Sequence, residues 1–183
     1  PEGLADFHLR VTPPWGLRRW WRPQVLFLTD GRSLFEPLPR AMAAPLLEWG
    51  LNRMVASRAH QYLILHAAAV ERGGRALILP APPGSGKSTL CAALTHRGWR
   101  LLSDEFALIR PADGRLVPLP RPVSLKDASI DVIHAFAPAA VLGPRVADTV
   151  NSVAAYMRPP GDSAARAQET ALPAWIVFPQ FQS

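Results

Sequence analysis

Ala81, Pro82, Pro83, Gly84, Ser85, Gly86, Lys87 and Ser88 follow the phosphate-binding pattern G-x-x-x-x-G-K-S/T, with Ala81 where the first glycine usually stands. Such a turn works by closing backbone N–H groups around phosphate oxygens. Gly84 and Gly86 let the chain approach without a Cβ in the way. Lys87 then offers an ammonium to the β and γ phosphates, and a helix opening near Ser88 adds its positive end. The Ser88 hydroxyl is suited to ligating Mg²⁺. The candidate ligand-binding stretch is therefore Pro83, Gly84, Ser85, Gly86, Lys87, Ser88 and Thr89. Lys87 and Lys126 are the two lysines among 20 basic residues, so a lysine kept at this place stands out. The bland alternative is a Pro and Gly turn with a chance Gly-Lys-Ser. Ala81 would be strained if the turn needed a left-handed backbone there.

Asp104 and Glu105 follow Ser88 at the end of the next expected strand, where ligands collect in α/β sheets. One carboxylate could hold a cation and the other could act as a base on a hydroxyl. The competing reading is a polar strand end facing solvent. His66 lies in the apolar run Ile64, Leu65, His66, Ala67 and Ala68, where an imidazole is more often an edge or core histidine than a functional one. His60 and His96 have weaker claims, and Cys91 falls on the helix after the loop as a core residue.

The elements that must position these residues can be read from pattern. Residues 75–79 form a strand entering the loop, and 88–97 form a helix with Leu90, Ala93 and Leu94 on one face, stopping at Gly98. Residues 62–70 and 75–79 make a hairpin through Glu71, Arg72, Gly73 and Gly74. Strands follow at 99–102 and 106–109, a turn at Ala112, Asp113 and Gly114, and a helix at 126–136. Residues 164–170 are too polar to assign, and 174–178 read as a strand. Before the hairpin, 24–29 is a strand ahead of the turn at Asp30 and Gly31. Leu46, Leu47, Leu51, Met54 and Val55 recur at helical spacing in a helix over 43–56. Residues 1–60 are thus expected to be a small irregular lobe with a connecting helix, and 61–183 the loop-bearing domain. A start at Pro1 rather than Met and an apolar strand near the end suggest a fragment of something longer, with this domain incomplete at its C-terminus.

A chain of 183 residues, 49% hydrophobic and 19% charged, describes one folded domain with a small appendage and excludes a disordered or fibrous protein. The net charge of +6 is not gathered into a nucleic-acid footprint. Its densest group, Arg10, Arg18, Arg19 and Arg22, is interrupted by Trp15, Trp20 and Trp21. Apolar runs fall short of the roughly 20 residues of a membrane span. A single cysteine, Cys91, permits no intrachain disulfide, and no secretory signal opens the chain, so the cytoplasm is the expected location. Neither a nucleic acid nor a membrane is expected as a partner.

With His66, the loop at 81–88 and the two acids in place, residues 65–109 resemble the core of the HPr kinase/phosphorylase family. The run through Ser103, Asp104 and Glu105, then Pro120, Arg121, Pro122, Val123, Ser124, Leu125 and Lys126, is similar to the subgroup called HPr kinase-related kinase A. The resemblance implies an α/β P-loop kinase core akin to phosphoenolpyruvate carboxykinase, a mixed β-sheet with flanking helices, using ATP and Mg²⁺. It implies a serine kinase acting on a small protein or peptide, with a homo-oligomer among its expected states. By position, Lys87 would bind phosphate and Ser88 and Asp104 the metal. Glu105 would take the hydroxyl proton, and His66 would stand near the transferred phosphate. Arg158 would match a loop carrying a basic residue toward the phosphates. Glu105 departs from the family in replacing an aspartate. Two other readings stand beside this one: a nucleotide-binding protein without catalysis, and a phosphotransferase acting on a small metabolite.

Overall fold

The computed structural model of the chain describes residues 8–16, 20–149 and 152–181. The fold is mixed α/β, with several sheets and, among the described residues, three α-helices. Two units separate: residues 1–58 with 146–151, and residues 59–145 with 152–183. Arg18 and Arg19 of the basic group lie outside the described residues. Its other members, Arg10 and Arg22, are exposed with all three neighbouring tryptophans.

The first unit is built on β1 (Leu9–Thr12) and β2 (Gln24–Thr29), which run antiparallel. Both Asp30 and Gly31 adopt positive φ, the backbone a two-residue hairpin turn requires, and β3 (Arg32–Ser33) returns along β2. A short β4 (Leu38–Pro39) pairs with the start of β2. Burial alternates along β2, so Val25 and Phe27 face inward. They meet Leu46 and Met54 of α1 (Ala43–Arg58). Gly50 allows that contact, since a Cβ there would lie 2.3 Å from the Phe27 ring. The helix over 43–56 is thus present and two residues longer.

The second unit carries the candidate site. β5 (Leu63–Arg72) and β6 (Arg75–Pro80) form the expected hairpin, turning through Gly73 and Gly74 at positive φ. On its other edge β5 changes partner. Ala69 to Glu71 pair with β7 (Arg100–Ser103), whereas Leu63 to His66 pair with β8 (Phe106–Ile109), itself continued by β9 (Leu116–Val117). Asp104 and Glu105 are the two residues at this changeover, where the Ala67 N–H donates to the Glu105 carbonyl. Ala67, Ala68 and Ala69 are fully buried because both faces of β5 are covered there. Ala68 and Val70 face Cys91 and Ala92 of α2 (Lys87–Thr95), while Ala67 and Ala69 face Ile78, Leu102 and Ala107.

Against α2 pack α3 (Ala128–Phe136) and β10 (Val123–Lys126). Lys126 thus belongs to a strand and not to the helix expected from 126. β11 (Val146–Thr149) falls in the first unit, and β12 (Ser152–Met157), an element the sequence did not signal, pairs antiparallel with β10. The C-terminal strand is β13 (Leu172–Ile176), two residues earlier than expected, and it lies parallel to β6. Among the described residues no helix is long and apolar enough to cross a membrane.

At the hairpin-turn end of the sheet, Arg100 donates from Nε to Glu71 at 2.6 Å with both side chains buried. It also donates to the carbonyls of Arg166 and Glu169. This network fastens the polar turn region 164–170 to the sheet.

Candidate functional site

The loop between β6 and α2 is fixed by its own composition. Pro82 and Pro83 preset the backbone, the Ser85 N–H reaches the Pro82 carbonyl at 3.4 Å, and Gly84 and Gly86 both stand at φ 83°. Only glycine holds that conformation without strain. Ala81 is not among the positive-φ residues, so alanine in place of the first glycine carries no backbone strain. Gly86 precedes α2 with no side chain capping the helix. The N–H groups of the first turn, at Lys87, Ser88 and Thr89, therefore point outward without the usual cap.

Lys87 is buried as the first residue of α2. Asp104 is also buried, on the same end of the sheet, because β7 and β6 run in the same direction on either side of β5. Burial is the main cause of a carboxyl pushed up to about 6, with the Glu105 charge adding to it. The Lys87 ammonium, the Ser88 hydroxyl and the Ser124 N–H act in the opposite direction. Asp104 Oδ2 accepts from Ser124 N at 3.1 Å, whereas Oδ1 is buried without a hydrogen-bond partner. The Ser85 hydroxyl, within the loop, is likewise buried without one. Two such atoms around an uncapped helix start are an arrangement that a bound ligand would complete.

Glu105 and His66 form a separate pair. His66 Nε2 lies 3.6 Å from Glu105 Oε2, and its ring packs edge-to-face on Phe106 at 6.1 Å. The imidazole is largely exposed, on the stretch of β5 that pairs with β8. It borders an open groove of about 390 Å³ that runs along Pro80, Ala81, Pro82 and Pro83. Arg158 is exposed, and its N–H donates to the Val141 carbonyl. The sequence reading missed two contributors. One is Ser124, which acts through its backbone and so leaves no side-chain signal. The other is the stretch after β13, which lies along the loop: Val177 N–H donates to the Ile78 carbonyl at 2.9 Å and Phe181 N–H to the Ser85 carbonyl at 3.2 Å. An aromatic pair near a chain end was the available sign.

Among the described residues no group of three or more His, Cys, Asp or Glu side chains could hold a metal ion. A cation here would draw its ligands from Asp104, the Ser88 hydroxyl and the phosphate oxygens themselves, the manner in which Mg²⁺ commonly binds.

The fold and site thus define a mixed α/β protein with a cradle suited to an anion. Residues 46–125 match the family model described as ScmC, a SynChlorMet cassette protein. No curated protein and no solved structure matches the chain. The matched stretch contains the hairpin, the loop, Asp104 and Glu105, which are the residues that carried the resemblance to the HPr kinase/phosphorylase family. That assignment is corrected to similarity with ScmC. The serine-kinase function, the transferase and P-loop kinase descriptors and the kinase core fall with it. The physical reason is that a glycine-flanked lysine turn specifies contact with an anion and not the reaction that follows. ATP binding loses its family argument by the same step and rests on the loop alone.

Proposed function

We propose that this chain is a component of a SynChlorMet cassette that binds a phosphate-bearing ligand at the loop 81–88, with ATP and Mg²⁺ as the pair to be bound. The observation that carries this reading is the buried, unpartnered Oδ1 of Asp104 beside Lys87 and Ser88, at the mouth of an uncapped helix. The chain's own residues divide the work. The amides of Gly84, Gly86 and the first turn of α2 face the phosphate oxygens, and the helix end favours their charge. The Lys87 ammonium neutralises the anion, with Gly86 leaving room for its approach. Asp104 and Ser88 would hold the cation, which supplies charge compensation between the carboxylate and the phosphates. Glu105 stands one residue away and raises the negative potential that draws the cation in. The reading is one of binding, and no group transfer is part of it.

Isothermal titration calorimetry tests it. ATP with Mg²⁺ is expected to bind the wild type and to bind Lys87→Ala at least about tenfold more weakly, the loss of a charged hydrogen bond. Equal affinity in the two proteins would refute the role given to the loop.

A further inference from the structure

The groove beside the loop is the part of this surface that phosphate binding does not use. It is lined by Ala81, Pro82 and Pro83, the residues that enter the cradle, and by Phe178, Pro179 and His66, and it is open to solvent. The lining is almost wholly apolar, and two of its members present flat rings. Its volume of about 390 Å³ lies in the range of small-molecule sites.

The wall formed by Phe178 is held in place from both sides. The Val177 N–H is bonded to Ile78 in β6, and the Phe181 N–H to Ser85 in the loop itself. A Cβ at Gly86 would sit 3.4 Å from the Phe181 side chain. The segment therefore tracks β6 and the loop together, and it carries Phe178 74% exposed above the groove. Among the described residues, Phe178 thus offers a largely exposed aromatic ring beside the anion cradle, on a segment bonded at Val177 and Phe181.

We infer that this groove seats the base of a nucleotide whose phosphates lie in the loop, with Phe178 stacking on the base and Pro82 and Pro83 beneath it. The inference rests on the phosphate-binding reading above and deepens it, since it separates a nucleotide from any simpler polyphosphate. Apolar and aromatic walls offer stacking without a pattern of donors and acceptors, so the groove takes a flat ring without choosing strongly among bases. Purines, with the larger face, are favoured over pyrimidines.

The test is a calorimetric comparison of ATP, GTP, UTP and inorganic tripolyphosphate, each with Mg²⁺, on the wild-type chain and on Phe178→Ala, Phe178→Trp and Lys87→Ala. ATP and GTP are expected to bind within a few-fold of each other and about tenfold more tightly than tripolyphosphate, the size of one stacked base. Phe178→Ala is expected to remove that advantage while leaving tripolyphosphate unchanged, and Phe178→Trp to keep it. Because the ring is exposed, its removal leaves the core intact. ATP and tripolyphosphate binding equally well, or Phe178→Ala weakening both alike, would overturn the inference while the cradle stands. If Lys87→Ala weakens none of the four, or none of them binds at all, the cradle fails and the groove assignment fails with it.

Discussion

Asp104 illustrates how much one side chain's surroundings can say. Its carboxyl is pushed from an ordinary value of 3.8 up to about 6, so the folded state holds a proton that the unfolded state releases. Stability therefore falls as pH rises from about 4 to about 6, by up to about 3 kcal/mol, and stays reduced above that range. Asp104→Asn mimics the neutral form. Thermal melts are expected to give this variant a Tm several degrees above the wild type at pH 7.5 and no advantage near pH 4. A lower Tm at pH 7.5 would mean that the ionised carboxylate is already well satisfied. At this scale Lys87, Ser88 and Asp104 were legible, because a glycine turn and a strand end put them together by spacing alone. The position of His66 was not legible, since an imidazole in an apolar run looks the same from sequence whether it faces core, solvent or ligand. The structure leaves its side chain largely exposed, beside Glu105.

Among the elements, the strand, loop and helix from β6 to α2 depend on a left-handed residue at Gly86. Gly86→Ala is expected to lower stability by about 1 kcal/mol through backbone strain at φ 83° and to weaken ligand binding, as that strain falls on an amide of the loop. Urea unfolding and calorimetry on the same sample would measure both. The opposite end of the sheet depends on the Glu71 and Arg100 pair. Burial would raise the Glu71 carboxyl, but the Arg100 guanidinium and the Gly74 N–H hold it below its ordinary 4.5. Its contribution is therefore present above that value and lost as pH falls through the lower folded value. Glu71→Ala, which leaves Arg100 buried without its anion, is expected to cost about 3–5 kcal/mol at pH 7. It should also flatten the acid limb of the stability curve followed by circular dichroism. The hairpin, α1 and α2 were legible from glycine placement and helical spacing. β12 was not, because residues 152–157 read as a short mixed run whose strand character comes from pairing with β10.

For the whole molecule, division into two units means that packing in the first can be perturbed apart from the site in the second. Gly50→Ala forces a Cβ into the Phe27 ring and is expected to destabilise the first unit by about 1–3 kcal/mol. Hydrogen exchange should report faster amides in β2 with little change in β5 and β6. Faster exchange throughout would show that the two units unfold as one. The general α/β class was legible from the alternation of strands and helices. Family was harder to read, because His66, the loop, Asp104 and Glu105, which suggested a kinase, lie within the span that matches ScmC, with Lys126 and Arg158 beyond it. Ligand binding at the loop is tested most directly by backbone amide NMR spectra of the chain with and without ATP and Mg²⁺. The amides of Gly84, Gly86, Lys87 and Ser88 are expected to shift on addition while those of Gly73 and Gly74, at the far end of the same sheet, stay fixed. No shift in the loop at saturating ligand, or shifts concentrated at the far end, would contradict it.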